Sequence, residues 1–357
     1  MKIKKILAGA SIAIAGLTLA ACGNHSHKTT KNSKGSIALI TDGAGVNDNS
    51  FNQSAWNGFM AYGKEHNLQK GKGGYQYFAS SSAADFAPNF EQAVNANYKT
   101  IIGVGYELKD AVASAAKKYP KTNFAIIDDV IKGQKNVVSA NFQSNEAAYL
   151  AGVAAAYTTK TNTVGFIGGA HGDIVDLFDA GFTQGVKDTA KKLHKNITVL
   201  NQYIGNFTSS DKAKSIAQSM YAKKADIIMH AAGGAGSGLF QAAKAINQTK
   251  AEKDKVWVIG VDIDQSSLGK YTSKDGKKSN FTLTSVITGV NVAVKDIADR
   301  AYEGKFPGGQ NLVYGLKTNG VSITRGYIND KAWSATRTAR NDVINKKVSV
   351  AIHPKSN

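Results

Sequence analysis

The chain has 357 residues, a formal net charge of +18, 42% hydrophobic residues and only 4 prolines. That length and apolar content exclude a disordered chain and exceed what one hydrophobic core usually organises, so two lobes are expected. The basic balance invites a nucleic-acid reading, but the lysines fall in pairs on helix faces and turns (Lys117-Lys118, Lys191-Lys192, Lys223-Lys224, Lys277-Lys278) and do not alternate with aromatics. No nucleic-acid partner is therefore expected, and attraction to anionic wall or lipid surfaces is the milder consequence.

At the N-terminus Lys2, Lys4 and Lys5 precede an uncharged apolar run from Ile6 to Ala21, closed by Leu19-Ala20-Ala21-Cys22. A positive start, an apolar middle and small residues at the end have the layout of a signal peptide over residues 1–21. The run is shorter than the ~20 residues a spanning helix needs, and no later segment is apolar enough to span. Small residues before the single cysteine resemble the lipobox of bacterial lipoproteins, which makes Cys22 the expected lipidated N-terminus. With one cysteine there is no intrachain disulfide. Removing the three leader lysines leaves a charge of about +15. Residues 22–35 are polar and read as a tether. His25 and His27 in such a segment make too weak a site for a metal.

Short apolar runs then alternate with stretches of helical period. Strands are expected at Ser36–Thr41, Tyr75–Ala79, Thr100–Val104, Asn123–Ile127, Thr163–Gly168, Ile197–Tyr203, Asp226–Ala231 and Val256–Val261. Helices are expected at Phe51–His66, Phe86–Asn97, Leu108–Tyr119, Glu146–Tyr157, Phe178–Leu193, Asp211–Ala222 and Gly238–Ile246. Such alternation predicts parallel sheets with helices on both faces. After Val261 the rhythm changes: strands at Phe281–Val286 and Val321–Arg325, helices at Thr288–Tyr302 and about Asn329–Asn345. A tail of this kind is read as returning to the first lobe and recrossing. The expected lobes are residues 36–140 plus about 265–315, and 141–262 plus about 316–353, joined by several strands that form a hinge.

Ligands of open parallel sheets lie beyond the carboxyl ends of the strands. Those ends carry Asp42 to Gln53, Gly103-Val104-Gly105-Tyr106, Asp128-Asp129, Gly168 to Asp173, Tyr203 to Phe207, His230 to Gly238, and Asp262-Ile263-Asp264. Glycines let backbone amides approach a ligand, carboxylates accept from vicinal hydroxyls, and aromatic faces stack on a flat base. The set suits a neutral, planar, hydroxyl-bearing ligand and repels phosphate. The run Gly233-Gly234-Ala235-Gly236-Ser237-Gly238 is out of register for a dinucleotide fingerprint, and no phosphate-loop motif occurs. Gly-x-Ser-x-Gly, His-Glu-x-x-His and clustered metal-ligand spacings are missing, so no catalytic residue, cofactor or metal is expected.

At these residues the chain resembles the basic membrane protein family of substrate-binding lipoproteins, which includes purine-nucleoside receptors. The matching segments are Asp48 to Gly58, Val104-Gly105-Tyr106, Ala125 to Asp128, Gly168 to Gly185, Ala231 to Gly236 and Ile259 to Gln265. The resemblance implies an α/β type I periplasmic-binding-protein fold, two Rossmann-like lobes with a nucleoside shut between them. It implies Phe51 as one stacking partner, with Asp42, Asp48 and Asn52 lining the first lobe's side. Asp128 is implied at the base edge, Asp262 at the ribose hydroxyls, and Gly233 and Gly234 as backbone contacts. The second aromatic is left open between His230 and Phe207. Relatives often carry a lysine where Thr288 stands, and acids and a proline in the His171-Gly172-Asp173 loop. The expected partners are a purine nucleoside and an ABC permease, with the monomeric chain lipid-anchored on the outer face of a Gram-positive membrane. The rival expectations are a sugar or autoinducer receptor of the same fold and a nucleoside-cleaving enzyme.

Overall fold

The computed structural model describes residues 35–354; the expected leader, Cys22 and nearly all of the tether lie outside them. Two six-stranded sheets organise the described chain. The first lobe begins β1 (Ile37–Ile40), α1 (Phe51–Glu65), β2 (Tyr75–Phe78), α2 (Phe86–Asn95), β3 (Thr100–Val104), α3 (Lys109–Lys118), β4 (Asn123–Ile127) and β5 (Val137–Phe142). The second comprises α4 (Ser144–Thr158), β6 (Thr163–Gly168), α5 (Asp173–Lys192), β7 (Thr198–Tyr203), α6 (Ser210–Ala222), β8 (Ile227–Ala231), α7 (Ser237–Gln248) and β9 (Trp257–Asp262). A small hairpin, β10 (Lys270–Thr272) and β11 (Lys278–Asn280), and then β12 (Thr282–Thr288) stay with it. The chain next gives α8 (Val290–Tyr302) and β13 (Asn311–Tyr314) to the first lobe, and β14 (Val321–Ile323) and α9 (Asp330–Ile344) to the second.

The sheet orders match. The first is β2-β1-β3-β4-β5-β13 and the second β7-β6-β8-β9-β12-β14. Each is a doubly wound sheet whose order reverses beside its first strand, and the crevice at such a switch point is where ligands bind. Central strands such as IALI in β1 and TIIGV in β3 are buried along their whole length, as uninterrupted apolar runs in a sheet covered on both faces must be. Phe86, Phe90, Val112 and Phe124 form the core on one face of the first sheet. Between α4 and α5 the backbones touch. A side-chain carbon at Gly185 would lie 2.2 Å from the Tyr149 carbonyl oxygen, so only glycine fits that crossing.

Three crossings join the lobes: after β5 at Gln143, after β12 at Gly289, and between β13 and β14. They are laced together, Gln143 N donating to Tyr314 O at 2.8 Å and Gly289 N to Gly320 O at 2.8 Å. Leu316 N donates to Glu146 Oε2 at 2.7 Å. The lobe boundaries differ from those expected. Residues from about 265 to 288 remain in the second lobe, because β12 pairs in parallel with β9, Val286 opposite Val261 and Ile287 opposite Asp262. An apolar run marks a strand but does not say which sheet it joins. The strands β5, β10, β11 and β13 had no counterpart in the sequence reading. β5 follows β4 without a helix, and β13 is an edge strand whose residues are partly or fully exposed.

Candidate functional site

A cavity lies where the carboxyl ends of the two sheets face each other. It holds about 650 Å³ of space between its atoms, counting the part open to solvent. The first lobe lines it with Asp42, Ala44, Asp48, Phe51, Gly105, Tyr106, Glu107 and Asp128. The second supplies Ile174, Val175, Phe178, Phe207, Ala231, Gly233, Val261, Asp262 and Thr288. The structure thus brings together seven of the expected residues: Asp42, Asp48, Phe51, Asp128, Phe207, Gly233 and Asp262.

Asn52, His230 and Gly234 are placed elsewhere. Asn52 is fully buried beneath the cavity, its Nδ2 donating to Asp42 Oδ1 at 2.8 Å and Asp48 Oδ2 at 3.0 Å. It positions two carboxylates. Gly234 closes the cleft: a side-chain carbon there would sit 3.7 Å from Asp48 Cβ and 3.8 Å from Ala44 Cβ. His230 is also fully buried, packed against Gly236, and burial pushes its pKa down to about 4. Its Nε2 lies 2.9 Å from Gln265 Oε1, which also accepts from Val261 N at 2.9 Å. Gln265 Nε2 in turn donates across the cleft to Asn49 O at 2.8 Å. His230 is a neutral strut behind a lobe-to-lobe bond and does not reach the cavity, because the backbone turn at Gly236 stands against it.

The carboxylates fall into two kinds. Asp48 is already occupied: Oδ1 accepts from Ser50 N (2.9 Å) and Gln53 N (3.0 Å), Oδ2 from Asn52 N (2.9 Å) and Asn52 Nδ2. It therefore caps α1, satisfying amides that the first helical turn leaves free. Asp128 and Asp262 occupy equivalent places, at the ends of β4 and β9, the fourth strands of their lobes. Both adopt left-handed backbone, φ 68° and 67°, which a non-glycine residue adopts at a cost and which clusters at functional sites. Burial raises Asp42 to about 6 and Asp262 to about 7. It also raises Asp128 well above the usual carboxylate range, and the neighbouring Asp262 and Asp129 add to that shift. Ser50 Oγ donates to Asp262 across the cleft, which partly offsets its rise.

Apolar walls complete the cavity. Phe51 opens α1 from the first lobe. Phe207 stands opposite Tyr106, ring centres 6.2 Å apart and nearly perpendicular. Ala235 N donates to the Phe207 carbonyl at 2.8 Å, and a side-chain carbon at Gly169 would overlap the ring at 2.3 Å, so the loops of the second lobe hold Phe207 in place. Ile174, Val175 and Phe178 were missed by the sequence reading, because α5 begins at Asp173, five residues before its expected start. Tyr106 was expected at a strand end and Thr288 drew notice through the family resemblance; Glu107, one residue past Tyr106, had no signal of its own.

Five carboxyl groups and not one lysine, arginine or histidine line the cavity. Thr288 stands where the family resemblance puts a lysine, which leaves the set without a cation. Such a site offers acceptors to a ligand rich in hydroxyl and N–H donors and repels phosphate. Among the described residues one trio could reach a common metal ion, Glu65, His66 and Asp299. It lies at α1 and α8, and Lys295 Nζ already sits 2.7 Å from Glu65 and 2.6 Å from Asp299. No helix of the described residues is long and apolar enough to cross a membrane.

Two doubly wound lobes of matching sheet order, three crossings and an interlobe cavity define the type I periplasmic-binding-protein fold, the expected fold class. Residues 34–355 match the family described as ABC transporter substrate-binding protein PnrA-like, and the chain belongs to that family. It is 48% identical over 351 residues to the ABC transporter nucleoside-binding protein BmpA of Lactococcus lactis subsp. cremoris (strain MG1363), covering 97% of this chain and 99% of the relative. It is 46% identical to the CD4+ T-cell-stimulating antigen of Listeria monocytogenes serovar 1/2a, covering 89% of each chain. Among solved structures, an ABC transporter solute-binding protein from Aeropyrum pernix K1 superposes with a TM-score of 0.75 at 20% identity, covering 90% of this chain and 94% of that one.

Proposed function

We propose that the protein captures purine nucleosides between its lobes and delivers them to an ABC permease. On this reading it acts as a lipid-anchored monomer held by Cys22 at the outer face of the membrane. The observation that carries the reading is the cavity's chemistry: five carboxyl groups without a cation, faced by aromatic and aliphatic walls from both lobes. Ribose hydroxyls and base N–H groups supply donors to the acids other than Asp48, and Phe51 and Phe207, which both line the cavity, offer faces to a flat base. Phe207 lines the cavity and His230 lies behind it, which supports Phe207 as the second aromatic. Both walls come from one chain, so the site needs no second copy. The relative BmpA is named a nucleoside-binding protein, which supports binding without turnover.

The test is thermal unfolding of the chain from residue 23 with adenosine, guanosine, inosine, cytidine, uridine, ribose and free bases. A ligand at 100 times its Kd adds about 2.7 kcal/mol of stability. A shift with purine nucleosides and little with ribose supports the proposal. A shift with ribose alone favours a sugar receptor, and product formed from inosine favours an enzyme. No shift with any nucleoside, in protein shown free of copurified ligand, overturns the function.

A further inference from the structure

The parallel register of the first sheet puts every strand start on one edge. Ile37 pairs with Tyr75 and Thr100, Thr100 with Asn123, and Phe124 with Val137. The residues just before those starts therefore gather at the edge opposite the cleft. Among them are Lys72 before β2, Lys99 before β3, Lys121 before β4 and Lys135 before β5, all exposed. Among the described residues of this lobe, ion pairs to lysine involve only Lys109, Lys118, Lys295 and Lys305. The acids Glu65, Glu91 and Glu303 of the flanking helices are already taken by three of these. The lysines of the edge thus have no ion-pair partner among the described residues, while five carboxyl groups line the cleft.

The chain enters the lobe at this same edge. Ser36 O accepts from Lys99 N at 3.0 Å, and Ile37 N donates to Gly74 O at 2.8 Å. In sequence, residues 22–35 carry Lys28, Lys31 and Lys34, and the first acid of the whole chain is Asp42. Fully extended, the 13 residues after Cys22 reach at most about 45 Å. We propose that the lysine edge docks the first lobe on the anionic phospholipid surface to which Cys22 tethers the chain. This rests on the anchoring part of the reading above. A lysine within one Debye length of an anionic bilayer, about 8 Å at physiological salt, favours the bound state roughly fivefold. The same field repels the acidic mouth of the cleft, so docking by the lysine edge keeps the ligand's entrance off the headgroups.

The experiment uses the chain from residue 22 with Cys22→Ser, so that no acyl chain contributes. It is sedimented with vesicles of phosphatidylcholine, with or without one-third phosphatidylglycerol, at low and high salt. The expected result is binding that requires phosphatidylglycerol and falls with salt. The combined variant Lys72→Gln, Lys99→Gln, Lys121→Gln, Lys135→Gln should lower it by several hundredfold, roughly fivefold for each lysine. A control that removes the same charge from the second lobe, Lys191→Gln, Lys192→Gln, Lys195→Gln, Lys223→Gln, should leave it within a few-fold of the parent. Equal losses in the two variants reduce the effect to net charge and overturn the proposal. Binding to soluble polyglycerol phosphate but not to vesicles overturns it in favour of a wall polymer. Nucleoside binding is measured on the same samples: intact nucleoside binding without vesicle binding sinks the docking surface alone, and the reverse sinks the ligand reading alone.

Discussion

The empty cleft should close as pH falls. In the closed cavity the Asp262 carboxyl is held up at about 7, against an ordinary 3.8, chiefly by burial. An open cleft readmits water and returns the group towards its ordinary value. The closed form then binds more protons between pH ~4 and ~7, so the closing free energy is fully present below the lower value and lost as pH rises through the upper one. A difference of roughly three units is worth about 4 kcal/mol, or about a thousandfold in the ratio of closed to open protein. The measurement is the radius of gyration of ligand-free protein by X-ray scattering from pH 8 to 5, which should contract for the wild type. Asp262→Asn is neutral throughout and keeps an acceptor for Ser50, so its cleft should be more closed at pH 8 than that of the wild type and its profile flatter. Asp42, raised to about 6, and Asp128, raised well above the usual carboxylate range, both chiefly by burial, leave a residual contraction. Identical profiles for the wild type and Asp262→Asn would refute the reasoning.

Phe207→Ala should weaken nucleoside binding by about 1–3 kcal/mol, measured calorimetrically, with the melting midpoint of the free protein almost unchanged. Asp48→Ala should act on stability instead, costing about 1–2 kcal/mol in denaturant unfolding, because it uncaps α1 and leaves Asn52 short of a partner. Gln265→Ala should cut the bond from the second lobe to Asn49 and strand His230, raising the ligand off-rate while each lobe stays folded. Gly185→Val should prevent close packing of α4 and α5 and destabilise by several kcal/mol, on the order seen for overpacked cores, read as lost soluble yield or a lowered Tm.

The alternation of apolar runs and amphipathic stretches was enough to read the doubly wound lobes, because β1, β3 and β4 are uninterrupted apolar strands and their helices carry clear faces. From that topology alone Asp42, Phe51, Asp128 and Asp262 follow as cavity residues, since each ends a strand or opens the next helix. What could not be read is pairing over long range. Nothing in Phe281–Val286 says that it stays beside β9, and β13 shows too little burial to announce itself. The differences between the expected residues and those that line the cavity have a common cause. Asn52, His230 and Gly234 sit next to cavity residues in sequence, and a change of one or two positions in a turn moves a side chain from the cavity wall to the layer behind it. Ile174, Val175 and Phe178 escaped because a helix start set by a glycine turn at φ 159° has no apolar periodicity to mark it.

The two lobes repeat one sheet order and one left-handed aspartate, but they do not furnish the cavity alike. Four of its carboxyl groups, Asp42, Asp48, Glu107 and Asp128, come from the first lobe, and only Asp262 from the second. Most of the aliphatic and aromatic surface, from Ile174 to Val261, belongs to the second. The near-symmetry of the scaffold would let a ligand seat in either of two directions. The unequal furnishing removes that degeneracy, so a molecule with a hydroxylated end and a flat apolar end has a head and a tail here. One doubled framework thereby reads direction as well as shape.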